Sequence, residues 1–392
     1  MLEGLPLRAA RLAWRKAKRL VEFAAYMVFD TWVLSRRRHV PARPDTVALV
    51  CLELLGDYVV WRPFGQACVR ELQQRGQHVV LICNKASQGL AARDFPGITC
   101  VAVEFRPFLR SPSTRTAMLR KLRSLGVGRT LLPVYPRVGF GFVDSVVRAL
   151  GAPAWSFDGA FPDRSWLDML AARRWYARLL PATAHAHQCV HHRQFLQALG
   201  LPAPETTTGD ARQAGARPYL LVVPGSSVAM KCWPAERFAA AALHVLEQRP
   251  GWDCVIAGTA AEAPAAEQVA AAVGPRARSV AGRTSLAQLQ DLVAGASLLL
   301  GNDSAAVHLA ASRGVPAVAV VGGGTPGLCL PYDAEACRHI AVLPRVAVAP
   351  MPCFGCWWIC RYRVPAGAPA PCIAGIPVEA VTRQLDQALG SG

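Results

Sequence analysis

The residues best suited to chemistry stand where apolar stretches end. Asp303 and Ser304 follow the apolar run 296–300 and precede a helical segment of small residues, and a second apolar run ends in the glycines 322–324. This order predicts a strand–turn–helix–strand unit of a parallel sheet, in which ligands bind at the carboxyl end of the strand. Free N–H groups and the dipole at the helix start favour a phosphate, although an ordinary helix N-cap would explain the same two residues.

A second polar turn lies upstream, in a Pro-Gly-Ser-Ser sequence after the predicted strand 219–223. Its glycine permits close backbone approach, and Ser226 and Ser227 add two hydroxyl groups suited to a phosphate. Lys231 follows shortly, where a compact positive charge can stabilise a leaving diphosphate, although a solvated lysine is the simpler alternative. Glu262 follows the next predicted strand, where a carboxylate commonly binds ribose hydroxyls.

Asp57 stands at a comparable place in the first half of the chain. The apolar run 47–54 predicts a strand, and Leu55-Gly56-Asp57 then turns into a predicted helix that reaches about Gly76. A carboxylate just past the carboxyl end of a strand can reach a bound hydroxyl group and act as a general base. A helix N-cap is the alternative role for this aspartate.

The elements that position these residues alternate between strand and helix, which predicts a doubly wound α/β fold. Further strands are predicted at 78–83, 98–103, 130–134, 219–223 and 252–257. We predict two Rossmann-like domains, 45–205 and 206–392, that face each other across a cleft. A polar linker at 202–215 follows a helix at 185–199, and the segment 1–44 stands apart from both domains.

Composition narrows the class of protein and of partner. A hydrophobic content of 52% with 18% charged residues is typical of a globular protein, and 392 residues suffice for two cores. The net charge of +17 favours an anionic partner, either a phosphorylated substrate or an acidic membrane. No nucleic-acid-binding module is recognisable, so we expect no nucleic-acid partner.

Residues 1–44 combine cations with the apolar stretch 21–34, which includes Glu22 and Asp30 and is too short for a comfortable membrane span. No small-residue cleavage site clearly follows, so a secretory signal is not expected. A basic helix rich in aromatics is typical of an interfacial membrane anchor, and we expect a membrane-surface segment; packing against its own domain is the alternative. The aromatic residues concerned are Phe23, Tyr26, Phe29 and Trp32.

Four of the thirteen cysteines stand close together near the end of the chain. Cys353, Cys356, Cys360 and Cys372 have a spacing close to that of a zinc ribbon, although the second pair is wider than usual. This tetrad predicts either a structural metal, Zn or Fe, or packed thiols that fix a loop around Trp357 and Trp358. The other cysteines are expected to be reduced thiols of a cytosolic protein.

Four histidines crowd one predicted helix without a cluster of carboxylate ligands. We expect them to be solvated or interdomain residues rather than metal ligands. They are His185, His187, His191 and His192.

Together these motifs resemble those of the bacterial heptosyltransferases, glycosyltransferase family 9, which have the GT-B fold. The family's donor motif, roughly D-[ST]-G-x-x-H-x-A with a later proline, is matched by 303–310 and Pro316. The motif P-G-[ST]-[ST]…K-x-W-P is matched by 224–234, and Gly56-Asp57 matches the end of the family's R-x-x-x-x-G-D. The resemblance covers nearly everything from residue 46 onward.

The resemblance implies an inverting transfer, in which an acceptor oxygen displaces a nucleoside diphosphate in one step without a catalytic metal or other cofactor. It makes Asp57 the general base and Lys231 the group that stabilises the leaving diphosphate. The donor-binding residues that it implies are Ser226, Ser227, Lys231, Glu262, Asp303, Ser304, Ala305 and His308.

The resemblance also implies ADP-heptose as the donor and an anionic, lipid-linked saccharide of the lipopolysaccharide core as the acceptor. Such an enzyme would act in the cytoplasm, peripheral on the inner membrane of a Gram-negative bacterium. Two alternatives remain: a transferase of another nucleotide-sugar in O-antigen, capsule or protein glycosylation, and a non-catalytic nucleotide-sugar-binding scaffold. Both are motivated by Ala305, which replaces the family glycine, and by 323–326, which lacks the aspartate of G-x-T-D-P.

Overall fold

The computed structural model describes residues 5–36, 40–135, 142–159, 166–183, 186–204 and 217–390. Within the chain there are two compact units, residues 4–203 and residues 204–392. The predicted domain boundary at 205 and 206, most of the predicted linker 202–215 and His185 lie outside the described residues.

The first unit is built on a parallel sheet of six strands in the order β3-β2-β1-β4-β5-β6. β1 pairs with β2 from Thr46 opposite His78 to Cys51 opposite Cys83, and the buried residues from Val47 to Cys51 fit a central strand covered on both faces. The strands are β1 (Arg43–Cys51), β2 (His78–Asn84), β3 (Thr99–Val103), β4 (Val127–Leu131), β5 (Ala154–Phe157) and β6 (Tyr176–Leu180).

In the described residues of this unit, eight helices precede, follow or connect the strands. They are α1 (Leu5–Ser35), α2 (Leu55–Gln74), α3 (Gln88–Asp94), α4 (Phe105–Arg110), α5 (Pro112–Ser124), α6 (Asp144–Leu150), α7 (Trp166–Arg173) and α8 (Gln188–Ala198).

The second unit repeats the same winding. Its strand order β12-β11-β10-β7-β8-β9, read from β9, is again the Rossmann order with two halves diverging from the first strand. Its strands are β7 (Tyr219–Val223), β8 (Asp253–Ile256), β9 (Ala277–Ser279), β10 (Leu298–Asn302), β11 (Ala317–Val320) and β12 (Arg345–Ala347). Its helices are α9 (Ala235–Gln248), α10 (Ala263–Val273), α11 (Leu286–Gly295), α12 (Ala305–Ser312), α13 (Pro371–Ala374) and α14 (Val378–Gly390).

These two sheets confirm the predicted doubly wound α/β class. The predicted strands at 78–83 and 98–103 match β2 and β3 closely, whereas the one predicted at 130–134 lies three residues too late, because β4 is Val127–Leu131. β5 and β6 were not predicted, since both are short and β6 includes the exposed residues Ala177 and Arg178.

The N-terminal helix α1 packs against its own unit through its second half. Phe23 and Val33 are buried, and the buried Asp30 carboxylate accepts two hydrogen bonds from the Arg115 guanidinium on α5, at 2.7 and 2.8 Å. The alternative interpretation of this segment therefore holds for one face of the helix. No helix in the described ranges is both long and apolar enough to cross a membrane.

The histidines at the start of α8, including its N-cap residue His187, are buried. His187, His191 and His192 are each at most 3% exposed, and the Nε2 atom of His191 lies 3.0 Å from the Thr183 carbonyl oxygen. Burial also lowers the pKa of His191. The expectation of solvated side chains is wrong for these three residues, because α8 packs closely on α2.

Candidate active site

In the second unit, Asn302 ties the two polar turns together. It ends β10, is fully buried, and its amide nitrogen donates to the Pro224 carbonyl at 2.5 Å. Its amide oxygen accepts from the Trp233 backbone N–H at 3.0 Å. β7 and β10 are adjacent parallel strands, so their carboxyl ends meet and one side chain can bridge the loops that follow. Asn302 was not among the predicted site residues.

Lys231 and Asp303, both predicted from sequence, form an ion pair at this edge. The Lys231 ammonium lies 3.0 Å from Asp303 Oδ2, and both side chains are largely shielded from solvent. Lys231 ends a short 3₁₀ turn, Ala229–Lys231, and Asp303 immediately follows β10. The aspartate fixes the lysine and partly neutralises it, so an anionic ligand would meet a positioned cation.

Ser304 and Ala305 lie at the start of α12. Ser304 is the N-cap residue, yet its side chain makes no capping bond, and its Oγ atom is buried without a hydrogen-bond partner among the described residues. The first N–H groups of the helix and this hydroxyl are groups that a phosphate oxygen can use. The arrangement supports the anion-binding interpretation over the ordinary N-cap.

Ser226, Ser227 and Glu262 surround the other turn. Ser226 is half-buried and Ser227 is exposed. The Glu262 carboxyl group packs against Gly225, where a Cβ atom would overlap with it, and accepts from the Thr259 backbone N–H at 2.7 Å. Glycine is therefore required at 225 for the carboxylate to approach the turn, and one Glu262 oxygen already serves a helix capping box.

His308 is a buried residue of α12. Its Nδ1 atom is hydrogen-bonded with the Tyr332 hydroxyl at 2.7 Å, and the two rings stack with centroids 5.6 Å apart. The structure thus gives His308 a packing partner behind the helix start. Its predicted place in the lining of a donor pocket stays a prediction.

Asp57 lies in the first turn of α2 in the first unit. Its Oδ1 atom accepts a hydrogen bond from the Gln188 side-chain amide of α8 at 2.9 Å. The carboxyl group of Glu53 is buried nearby, and its Oε2 atom has no hydrogen-bond partner among the described residues. Burial, together with the negative charge of Asp57, raises the pKa of Glu53 from its ordinary 4.5 to about 8. Sequence motifs gave no signal for Gln188 or Glu53.

The cysteine tetrad lines one small pocket of the second unit, together with Phe354 and Trp358. Burial raises the pKa of Cys356 and of Cys372, and the neighbouring thiols add to the rise for both. A soft cation would offset the cost of four thiolates, so the donor set fits Zn or Fe. Among the described residues, however, no three of these sulfur atoms lie within 4.8 Å of one another, so metal binding would draw the loop tighter.

Comparison with known proteins shows similarity to one family over part of the chain. Residues 182–347 match the model of glycosyltransferase family 9 (heptosyltransferase). Lipopolysaccharide heptosyltransferase 1 of Pseudomonas aeruginosa is 33% identical over 171 residues, which cover 41% of this chain and 47% of that protein. The match thus spans about half the length of this curated relative.

Two solved structures share the fold. Escherichia coli heptosyltransferase WaaC with ADP-2-deoxy-2-fluoro heptose matches with a TM-score of 0.61 and 15% identity, covering 87% of this chain and 99% of that one. The iron-containing dodecameric glycosyltransferase TibC of E. coli matches with a TM-score of 0.52 and 16% identity, covering 90% and 78%. These likenesses confirm the predicted GT-B class. The family match at residues 182–347 includes both polar turns, so this part of the chain is similar to glycosyltransferase family 9 (heptosyltransferase).

Proposed function

We propose that this protein is an inverting glycosyltransferase that moves heptose from ADP-heptose to an anionic, lipid-linked saccharide of the lipopolysaccharide core. The observation that carries the proposal is the Lys231–Asp303 pair beside the unsatisfied start of α12, inside the segment that matches the family. The curated relative is a lipopolysaccharide heptosyltransferase, and WaaC was solved with an ADP-heptose analogue.

In the proposed donor site, the diphosphate accepts hydrogen bonds from the serine turn and from the start of α12. The Lys231 ammonium, held by Asp303, stabilises the charge that develops on the leaving diphosphate. Glu262 has one oxygen free of the capping bond to bind a ribose hydroxyl. These groups supply positive potential without a divalent cation.

In the proposed transfer, the acceptor hydroxyl oxygen attacks the anomeric carbon from the face opposite the diphosphate. The hydroxyl proton passes to the Asp57 carboxylate as the new C–O bond forms, and the bond to the diphosphate breaks. The electron pair leaves with the nucleoside diphosphate, and the anomeric configuration inverts. Gln188 donates a hydrogen bond to Asp57 Oδ1 and so orients the carboxylate.

The proposed acceptor and location follow from charge and from the exposed face of α1. The net charge of +17 suits an acceptor that carries phosphates and carboxylates. Trp14, Val21, Val28 and Trp32 are all exposed apolar residues on α1. At 100° per residue they lie within about 40° of one another, opposite the buried Phe23 and Asp30. This stripe supports binding to the inner-membrane surface from the cytoplasm.

The cysteine tetrad is proposed as a structural metal site, for Zn or Fe, that fixes the loop rather than takes part in transfer. TibC, a glycosyltransferase with a similar fold, is iron-containing. Metal analysis of the purified protein, with a Cys356→Ser–Cys360→Ser variant as the control, tests this. We expect one metal ion per chain in the wild type and none in the variant. If the wild type contains no metal while its thiols are reduced, the tetrad is a set of packed thiols instead.

A second candidate keeps the reaction and changes the donor to another nucleotide-sugar. Ala305 in place of the family glycine, and the absent aspartate near Thr325, favour it because both lie in donor motifs. The non-catalytic scaffold rests on the same departures, and the intact Asp57 and Lys231 speak against it.

Calorimetry separates these candidates. ADP, UDP, GDP and dTDP are titrated into the wild type and Lys231→Ala, with Mg²⁺ and with EDTA. ADP binding that survives EDTA and weakens about 10- to 100-fold in the variant supports the ADP-heptose proposal. Tighter binding of another nucleotide would support a donor built on that nucleotide instead of ADP-heptose. If none of the four nucleotides binds, only the non-catalytic scaffold candidate remains.

A further inference from the structure

The glycines 322–324 lie just after β11. The loop that includes the cysteine tetrad, residues 353–372 (the cysteine loop), packs against them. A Cβ atom at Gly322 would lie 2.7 Å from the Trp358 ring, and one at Gly323 or Gly324 would overlap with Phe354 or Trp358. Backbone hydrogen bonds from Gly355 to the Gly323 carbonyl and from Trp357 to the Gly324 carbonyl, at 2.8 and 2.7 Å, fix this contact. The glycines therefore allow an indole ring to lie directly on the end of the central sheet.

The backbone at Trp358 is held in an unusual conformation. Trp357 and Trp358 have φ angles of 52° and 59°, in the left-handed region that bulky side chains rarely occupy. Such a conformation persists only where the surrounding contacts determine it, and it is concentrated at functional sites. Here it turns the Trp358 ring towards the glycines rather than towards solvent.

The Trp358 ring also contacts the Lys231 ammonium. It lies 4.9 Å from the centroid of the Trp358 ring, within the range of a cation–π contact, while Asp303 holds it at 3.0 Å. The Ala370 N–H donates to the Met230 carbonyl at 2.9 Å, which ties the turn carrying Lys231 to the end of the same loop. A flexible lysine side chain is thus held by a carboxylate and an aromatic ring.

We propose that Trp358 is a positioning residue for Lys231, and that its ring holds the ammonium where the diphosphate of the donor binds. The inference rests on the proposed function and deepens it. It assigns to the cysteine loop, which lies outside the segment matched by the family, one wall of the diphosphate site. Freed from the ring, the lysine would regain rotamer freedom that donor binding must then remove.

The test is ADP affinity by calorimetry for Trp358→Leu, Trp358→Phe and the control Trp357→Phe, each also on the Lys231→Ala background. Trp358→Leu should weaken ADP binding about 3- to 30-fold, because it removes the cation–π contact. Trp358→Phe retains a ring face and should recover most of the affinity, and Trp357→Phe should bind as the wild type does. On the Lys231→Ala background, Trp358→Leu should have no further effect.

Two outcomes overturn the inference while the donor assignment stands: wild-type affinity in Trp358→Leu, or an equal loss with and without Lys231. The second would make Trp358 a packing residue only. A wild type that fails to bind ADP overturns the donor assignment itself, so the two failures are distinguishable. Trp358→Phe keeps the test valid if Trp358→Leu does not fold.

Discussion

At the level of single residues, the proposed base Asp57 is defined by its neighbours as much as by its own charge. Gln188 orients one oxygen, and the buried Glu53 places a second carboxyl group beside it. Asp57 could be predicted from its position just after β1, but the roles of Gln188 and Glu53 depend on how the elements pack. Gln188 comes from a helix 131 residues away in sequence, so no local pattern could indicate it.

Asp57→Asn should lower kcat about 10²- to 10⁴-fold, because the amide cannot take the acceptor proton. ADP affinity should be unchanged, since the proposed donor contacts belong to the second unit. Transfer assays and calorimetry measure the two effects, with the exposed Asp45→Asn as a matched control. Full turnover by Asp57→Asn would remove this residue from the mechanism.

Glu53 should make stability fall as pH rises. Its pKa is about 8 in the folded protein and near the ordinary 4.5 in the unfolded chain, so the folded state holds an extra proton between those values. Its contribution is therefore complete below about pH 4.5 and is lost as pH rises towards 8, by up to about 1.4 kcal/mol per pH unit.

Glu53→Gln should remove this slope and raise the free energy of unfolding relative to the wild type at pH 8. Urea unfolding from pH 5 to pH 8 measures it, with the exposed Glu104→Gln as the control. Parallel curves for the wild type and Glu53→Gln would contradict the prediction.

At the level of elements, α1 has two opposite apolar faces. One is buried through Phe23 and Val33 and is locked by the Asp30–Arg115 ion pair, and the other exposes a stripe from Trp14 to Trp32. The sequence predicted a basic helix with aromatic residues, but it did not predict which face of the helix packs against the rest of the unit. Asp30 in particular could be explained only once Arg115, 85 residues later, was placed against it.

The exposed stripe should bind anionic vesicles. Val28→Glu should weaken binding at least about tenfold, because a buried valine contributes about 1.5 kcal/mol or more and the new charge is repelled. Ala24→Glu adds the same charge beside the stripe and should weaken binding less. Co-sedimentation with anionic and zwitterionic vesicles measures this; equal binding by both variants, or no preference for anionic vesicles, would refute it.

At the level of the whole molecule, the two units repeat one strand order but carry different chemistry. The first offers carboxyl groups at Glu53 and Asp57, and the second offers cations and helix N–H groups around Lys231 and Ser304. The proposed base and the proposed diphosphate site thus belong to separate units.

ADP should protect amides of the second unit from hydrogen exchange. At an ADP concentration of 100 times Kd, binding stabilises the folded state by about 2.7 kcal/mol relative to the unfolded state. The slowed amides should be those of residues 226–231 and 303–306. Exchange measured by mass spectrometry with and without ADP tests this, and Lys231→Ala at the same ADP concentration should lose most of the protection. Protection elsewhere with none in these two segments would place the nucleotide at another site.

The sequence by itself determined the alternation of strands and helices and the polar residues that end the strands, because both depend on local order along the chain. For this reason it predicted Asp57, Lys231, Asp303 and Ser304 as candidate site residues. Only the tertiary structure decided that Asn302 bridges two turns, that Gln188 orients Asp57, and that Trp358 lies over Lys231. The two hydrogen bonds join residues 69 and 131 positions apart in sequence, and only the packing of whole elements brings such residues together. The contact of Trp358 depends in addition on a loop with an unusual backbone conformation.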